Sequence, residues 1–269
     1  MAQAKLAAAW LGEKLGLETV LLPMTTTGDE RLQWSLEAKG GKGLFTTELE
    51  QALLKGEADL AVHSCKDLPT ENPAGLALAG FLPREDPRDV LVRRVEVETP
   101  RLIATGSPRR REQLRRRFPD LEFTEIRGNI GTRLRKIAEG QADASMLAMA
   151  GLKRLAVEAP EGLEFVPMSV TESVPAAGQG AIALQCRVDE VERFAGVLCD
   201  ETARAVTLER RILAGLGGGC HSATAVHYTE GWLRVFHAPL PLMEVALDPE
   251  DEDAIEAVLR ELHGREAQS

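Results

Sequence analysis

Leu102-Ile103-Ala104-Thr105-Gly106-Ser107-Pro108-Arg109-Arg110 carries the chain from an apolar strand into a helix within nine residues. Ser is a favoured N-cap and Pro a favoured first helical residue, so the spacing predicts a strand over Leu102–Thr105 and a helix through Arg117. The same unit recurs on both sides of it. Apolar runs at 58–63, 76–82, 90–92, 122–126, 144–148, 165–169 and 181–185 read as strands. Helical patterns at 2–15, 46–54, 130–139 and 190–198 lie between several of them, and 18–24 reads as a further short strand. Short apolar strands alternating with helices define an α/β fold with mainly parallel, buried sheets. Pro83–Pro87 and Val174–Gly180 read as two crossings between lobes. After Asp200 the pattern changes to one long helix (201–216), a glycine loop, three short strands and a last helix from about Asp251, a small α+β domain.

The 269 residues are 44% hydrophobic, 28% charged and 4% aromatic, enough for two or three domains with their own cores and too apolar for a disordered chain. No apolar run reaches the ~20 residues of a membrane span, and Met1 opens no signal-peptide pattern. Cys65, Cys186, Cys199 and Cys220 form no CxxC pair, and no His/Cys spacing suits a metal, so a reduced, cytoplasmic protein without a metal site is expected. The net charge of −10 argues against a nucleic-acid binder. The charge is nevertheless uneven. Residues 101–136 hold ten Arg and one Lys against four acids, whereas 244–269 hold nine acids against two Arg. An arginine-dense middle in an acidic chain points to a site for a discrete polyanion. Arg115, Arg116 and Arg117 read instead as a solvated helix face with surface pairs.

Arg109 and Arg110 in a first helical turn meet the positive end of the helix dipole, which is unfavourable unless an anion sits there. The alternative is an unliganded helix start with solvated arginines. Arg127-Gly128-Asn129, followed by Gly131-Thr132-Arg133, repeats the arrangement at the next strand end, where α/β folds bind ligands. His63-Ser64-Cys65-Lys66-Asp67 ends another strand. Lys66 and Asp67 make either a simple ion pair or an anion contact beside a working carboxylate. Gly217-Gly218-Gly219-Cys220 is either a helix cap before an inert thiol or an open backbone presenting a covalent attachment point. Gly41-Lys42-Gly43 lacks the P-loop form.

These blocks resemble the hydroxymethylbilane synthase family, also called porphobilinogen deaminase. The resemblance rests on Gly41–Glu50, Ala58–Thr70, Arg84–Asp89, Thr105–Arg110, Arg127–Arg133, Ala150–Leu155, Pro175–Ala181 and Leu216–Cys220, in order along the chain. It implies two lobes like those of periplasmic binding proteins, residues 1–82 with 181–198 and residues 84–175, plus a cofactor-bearing domain at 200–269. It implies head-to-tail condensation of four porphobilinogen molecules with loss of ammonia, followed by hydrolytic release of the linear tetrapyrrole. Growth starts on a dipyrromethane primer bound covalently through Cys220. Asp67 is the implied catalytic carboxylate, stabilising the cation left when ammonia departs. Lys66, Thr105, Ser107, Arg109 and Arg110 are implied cofactor contacts. Ser64, Arg127, Arg133, Arg154, Gln179 and Arg187 are implied substrate contacts. A monomer without nucleic-acid or membrane partners is implied as well.

Family members begin with a strand and an Arg/Ser-bearing segment, whereas this sequence opens on its first helix, so the first lobe is expected to lack that strand. Gly106 and Pro108 stand where the family pattern has Ser and Leu, Gln185 stands where Glu is common, and the last domain lacks the usual Pro-Asp-Gly turn. The alternatives are a non-catalytic polyanion- or solute-binding protein on the same scaffold, or an inactive, N-terminally truncated enzyme.

Overall fold

The structure, a computed structural model, describes residues 1–24, 46–219 and 222–267. The expected glycine loop at Gly40, Gly41 and Gly43 and the Cys220-His221 pair lie outside the described residues. Three sheets organise the rest.

The first has the order β1-β8-β2, with β1 at Ala61–Ser64, β2 at Leu76–Phe81 and β8 at Ile182–Arg187. Its central strand is buried on both faces from Ile182 to Cys186, which is why its sequence shows no polar alternation. Ile182, Leu184 and Cys186 pack against Ala7 and Leu11 of helix α1 (Ala2–Leu15), while Ala183 faces Cys65 and Val206. Helix α2 (Thr47–Leu54) closes the far end through Leu53 against Ala61 and Leu76.

The second sheet has the order β5-β4-β6-β3-β7. Its strands are β3 (Asp89–Arg94), β4 (Leu102–Ala104), β5 (Glu122–Thr124), β6 (Ala144–Ala148) and β7 (Leu163–Pro167). Helices α3 (Pro108–Arg117), α4 (Ile130–Ala138) and α5 (Met149–Arg154) accompany it. Val90 and Val92 of the inner strand β3 are fully buried against Leu134 and Ile137 of α4. The third sheet is the antiparallel β11-β10-β9, built from β9 (Thr224–Thr229), β10 (Trp232–His237) and β11 (Met243–Ala246). Helices α6 (Asp200–Gly215) and α7 (Glu252–Glu266) cover it through Leu208, Ile212, Ile255 and Leu262.

The α/β class and its two-lobe architecture hold, but strand direction is more mixed than the expected parallel arrangement. Among the described residues the parallel pairs are β4 with β5 and β4 with β6; β3 runs antiparallel to β6 and β7, and β8 antiparallel to β1 and β2. The reason is the chain path. Strands β3 and β8 are each entered from a crossing rather than from a helix of their own lobe. Residues 18–24 form no ladder among the described residues. The helix expected at 190–198 is a 3-10 turn over Val188–Phe194, closed at Gly196 with φ of 74°.

The two crossings approach each other closely. Gly180 has φ of 87°, and a Cβ there would lie 2.3 Å from the Glu85 carbonyl oxygen; at Gly178 it would lie 2.6 Å from Cys65 Sγ. Only glycine fits a positive φ with backbone pressed against it. Glu209 of α6 locks the junction. It takes Arg84 bidentately at 2.7 and 3.1 Å, the Gly178 N–H at 2.7 Å and the Tyr228 N–H at 2.8 Å. Burial alone would raise its pKa. The Arg84 charge and the His227 hydrogen bond outweigh burial and hold it at about 2.

Candidate active site: a cationic crevice between the lobes

Strand β1 ends at Ser64 and turns through a short 3-10 segment, Cys65–Asp67, which leaves Asp67 exposed at the carboxyl end of the strand. Across from it α3 starts as its sequence dictates, with Ser107 extended at the N-cap and Pro108 first in the helix. Asn129 caps α4 by accepting from the Thr132 N–H at 2.9 Å. These three element ends surround two chambers of about 240 and 220 Å³ that share Lys66, Arg110, Arg133 and Gln179.

The first chamber adds Ser64 and Arg154 to that shared set. The second adds Asp67, Thr105, Ser107, Arg109 and Arg127, and is closed by Gly219 and Ser222. Cys220 lies outside the described residues, but its sequence neighbour Gly219 borders this second chamber and accepts from Ser222 Oγ at 2.9 Å. Burial pulls the Lys66 ammonium below its ordinary pKa, with Asp67 opposing. Arg133 is likewise lowered by burial and by the neighbouring charges of Arg110 and Arg127. Cys65, two residues from Asp67, is buried and its thiol is pushed up to about 12, so it is no competing nucleophile.

The arginines divide into two kinds. Arg109 and Arg110 are buried and converge on Asp89, at 2.8 and 2.7 Å, and also donate to the carbonyls of Val174 and Met146. Arg127, Arg133 and Arg154 have fewer anchors: Glu125 at 3.6 Å, Gly128 O at 2.8 Å and Gly180 O at 2.5 Å, respectively. Asp89 itself is wholly buried, and it also accepts from Ser173 Oγ and from Gln179 Nε2. Burial would raise its pKa, but the two guanidinium charges pull it well below the carboxylate range. Sequence reasoning gave Asp89 no role. Its signal was an acid placed directly before the buried run Val90–Val92, where a charge needs partners.

Arg187 is a correction. It sits at the far end of β8, paired in register with Leu76, and lines neither chamber. Its guanidinium caps the end of α2 by donating to the carbonyls of Leu53 and Ala58, and it pairs with Glu190 at 2.7 Å. The physical reason is periodicity: five residues separate it from Ile182 along an extended strand, which carries it some 16 Å from the crevice end. Arg187→Ala should therefore leave KM and kcat within about twofold while lowering stability by about 1 kcal/mol, read by steady-state kinetics and thermal melting.

A two-lobed α/β scaffold with a cationic crevice at its strand ends suits an anionic ligand. Residues 1–194 match the family model for the dipyrromethane cofactor binding domain of porphobilinogen deaminase. The chain is similar to the porphobilinogen deaminase of Syntrophotalea carbinolica, at 46% identity over 235 residues, covering 82% of this chain and 74% of that protein. It is also similar to that of Thiobacillus denitrificans, at 47% over 223 residues, covering 79% and 72%. The chain belongs to the porphobilinogen deaminase family. Among solved structures, the VFT2 domain of Bordetella pertussis BvgS is similar at 19% identity and a TM-score of 0.45, covering 75% of this chain and 81% of that one.

Proposed function

We propose that this chain condenses porphobilinogen into a linear tetrapyrrole in the crevice between its lobes. The observation that carries the reading is the charge of the two chambers. Among the described residues lining them stand Lys66 and five arginines, and Asp67 is the only carboxylate. Each pyrrole unit brings two carboxylates, so a growing chain matches the cations, and a single acid is left for chemistry. Arg127, Arg133 and Arg154 retain guanidinium N–H groups for carboxylates. Arg109 and Arg110 act chiefly by charge, since Asp89 neutralises one of the pair. Thr105 and Ser107 add polar contacts at the start of α3, whose dipole favours an anion.

Asp67 stabilises the cation that forms on the substrate as ammonia leaves its aminomethyl carbon, and it assists proton transfer at the pyrrole nitrogen. Bound dipyrromethane supplies the nucleophilic pyrrole carbon on which growth begins. The residues present fit it. Gln179 lines both chambers, and its buried Oε1 has no hydrogen-bond partner among the described residues; a pyrrole N–H is the donor such an acceptor lacks. Gly219, the sequence neighbour of Cys220, lines the second chamber, which supports Cys220 as the anchor.

The proposed domains are 1–82 with 181–198, 84–175, and 200–269, supported by the return of β8 to the first sheet. Free Cys65, Cys186 and Cys199 fit a reducing compartment, which supports a cytoplasmic enzyme, and we read it as a monomer. No helix among the described residues is long and apolar enough to cross a membrane. The test is the intact mass of the purified chain beside Cys220→Ser. An increment of two condensed pyrrole units in the first and its absence from the second is the expected result. An unmodified wild-type mass, even after incubation with porphobilinogen, would favour a solute-binding protein instead.

A further inference from the structure

The chamber bordered by Ser64 holds four cationic side chains, Lys66, Arg110, Arg133 and Arg154, and no carboxylate lines it among the described residues. That lining suits the acids of a substituted pyrrole but, apart from Asp67 in the adjoining chamber, gives a cationic aminomethyl group no charged acceptor among the described residues. Three amide side chains line the same space. Asn129 is committed to the α4 cap, and Gln179 is anchored through Nε2 to Pro87 O and Asp89. Gln3 is different. It stands in the first turn of α1 and donates from Nε2 to Ser64 Oγ at 2.6 Å, a contact spanning 61 residues of sequence. That bond sets the orientation of the amide, and Gln3 Oε1 accepts no hydrogen bond among the described residues.

We propose that Gln3 Oε1 accepts a hydrogen bond from the aminomethyl group of the incoming substrate, making Gln3 a specificity-determining residue. This deepens, and rests on, the porphobilinogen reading above. A neutral amide suits the position better than an acid. A carboxylate would be captured by the surrounding arginines and lysine and would compete with the substrate's own acids, whereas an amide oxygen takes an ammonium N–H and leaves the cationic lining intact. Ser64 is the positioning partner that keeps the oxygen presented.

The test is Gln3→Leu in the cofactor-loaded enzyme, with loading checked by intact mass. KM for porphobilinogen should rise about tenfold, the scale of one hydrogen bond to a charged group. The affinity of an analogue bearing methyl in place of aminomethyl, measured by calorimetry, should stay within about twofold. An equal loss for both ligands would mean that Gln3 merely shapes the chamber, and unchanged values for both would mean that it makes no contact; either overturns the inference. Ser64→Ala should reproduce part of the selective loss. If the wild-type chain neither carries dipyrromethane nor consumes porphobilinogen, the functional reading fails first, an outcome distinct from a failure at Gln3 alone.

Discussion

Asp67→Asn is expected to lower kcat for porphobilinogen by about a thousandfold while the chain stays folded. The size follows from the two roles assigned to one group. Removing a positioned proton carrier costs roughly 10²–10⁴ in rate, and removing an electrostatic stabiliser of a developing charge costs a similar factor. No neighbour can substitute, because among the described residues lining the two chambers Asp67 is the only carboxylate. The surroundings make the loss worse: Lys66 and Arg133 both feel the Asp67 charge, and without it a cation forming on the substrate would face an uncompensated positive wall. Stability should hardly move. Asp67 is exposed at the end of a short turn, and substitutions at such positions usually stay within about 0.5 kcal/mol. The check is ammonia release and pyrrole consumption beside a thermal melt. A kcat within tenfold of wild type would refute the assignment, and a collapsed melting point would shift the residue from chemistry to structure.

What the sequence made legible was local. Ser107-Pro108 starts a helix because the fixed φ of proline acts at the first helical position, and the structure starts α3 there, although the Ser107 side chain makes no capping bond. The apolar run at 181–185 read as a buried strand because burial on both faces leaves no polar alternation. Strand direction was not legible, since it depends on which distant segment supplies the neighbour. The same limit explains Arg187, whose position in the sequence said nothing about which end of its strand faces the crevice. It also explains the Arg115–Arg117 run. Arg115 and Arg117 pair with Glu112 and Glu172 as surface groups, whereas Arg116 stacks 4.6 Å over Phe236 and donates to Leu240 O, in another sheet's territory. The crevice residues stood out because chemistry concentrates unusual residue types. For the buried carboxylates Asp89 and Glu209 the sequence offered at most a position beside an apolar run, because only folding brings their partners together.

Asp89→Asn should destabilise the chain more than any change at the crevice surface. The native carboxylate satisfies Arg109, Arg110, Ser173 and Gln179 at once, linking the second sheet to the crossing that carries Val174–Gly180. Replacing it with a neutral amide leaves two buried guanidinium groups without a counter-charge and turns an NH₂ toward donors. Breaking a buried pair in this way costs about 3–5 kcal/mol, a large share of the roughly 5–15 kcal/mol that holds a domain folded. The expected fall in melting temperature is on the order of 10 °C at pH 7. Its pH dependence is distinctive. The folded-state pKa of Asp89 is depressed, so its contribution is fully present above the unfolded value near 4 and is lost as pH falls toward the folded one. Glu209 loses its own contribution between about 4.5 and about 2. Wild type should therefore melt progressively earlier below pH 4.5, while Asp89→Asn, already lacking one of the two carboxylates, should lose less over the same interval. The two melting curves should converge in acid. Equal melting points at pH 7, or a gap that stays constant down to pH 2, would show that the Asp89 charge is not what holds the arginines in place. The consequence for function follows from the same geometry: Arg110 lines both chambers, so releasing its anchor should also raise KM, even at temperatures where the variant remains folded.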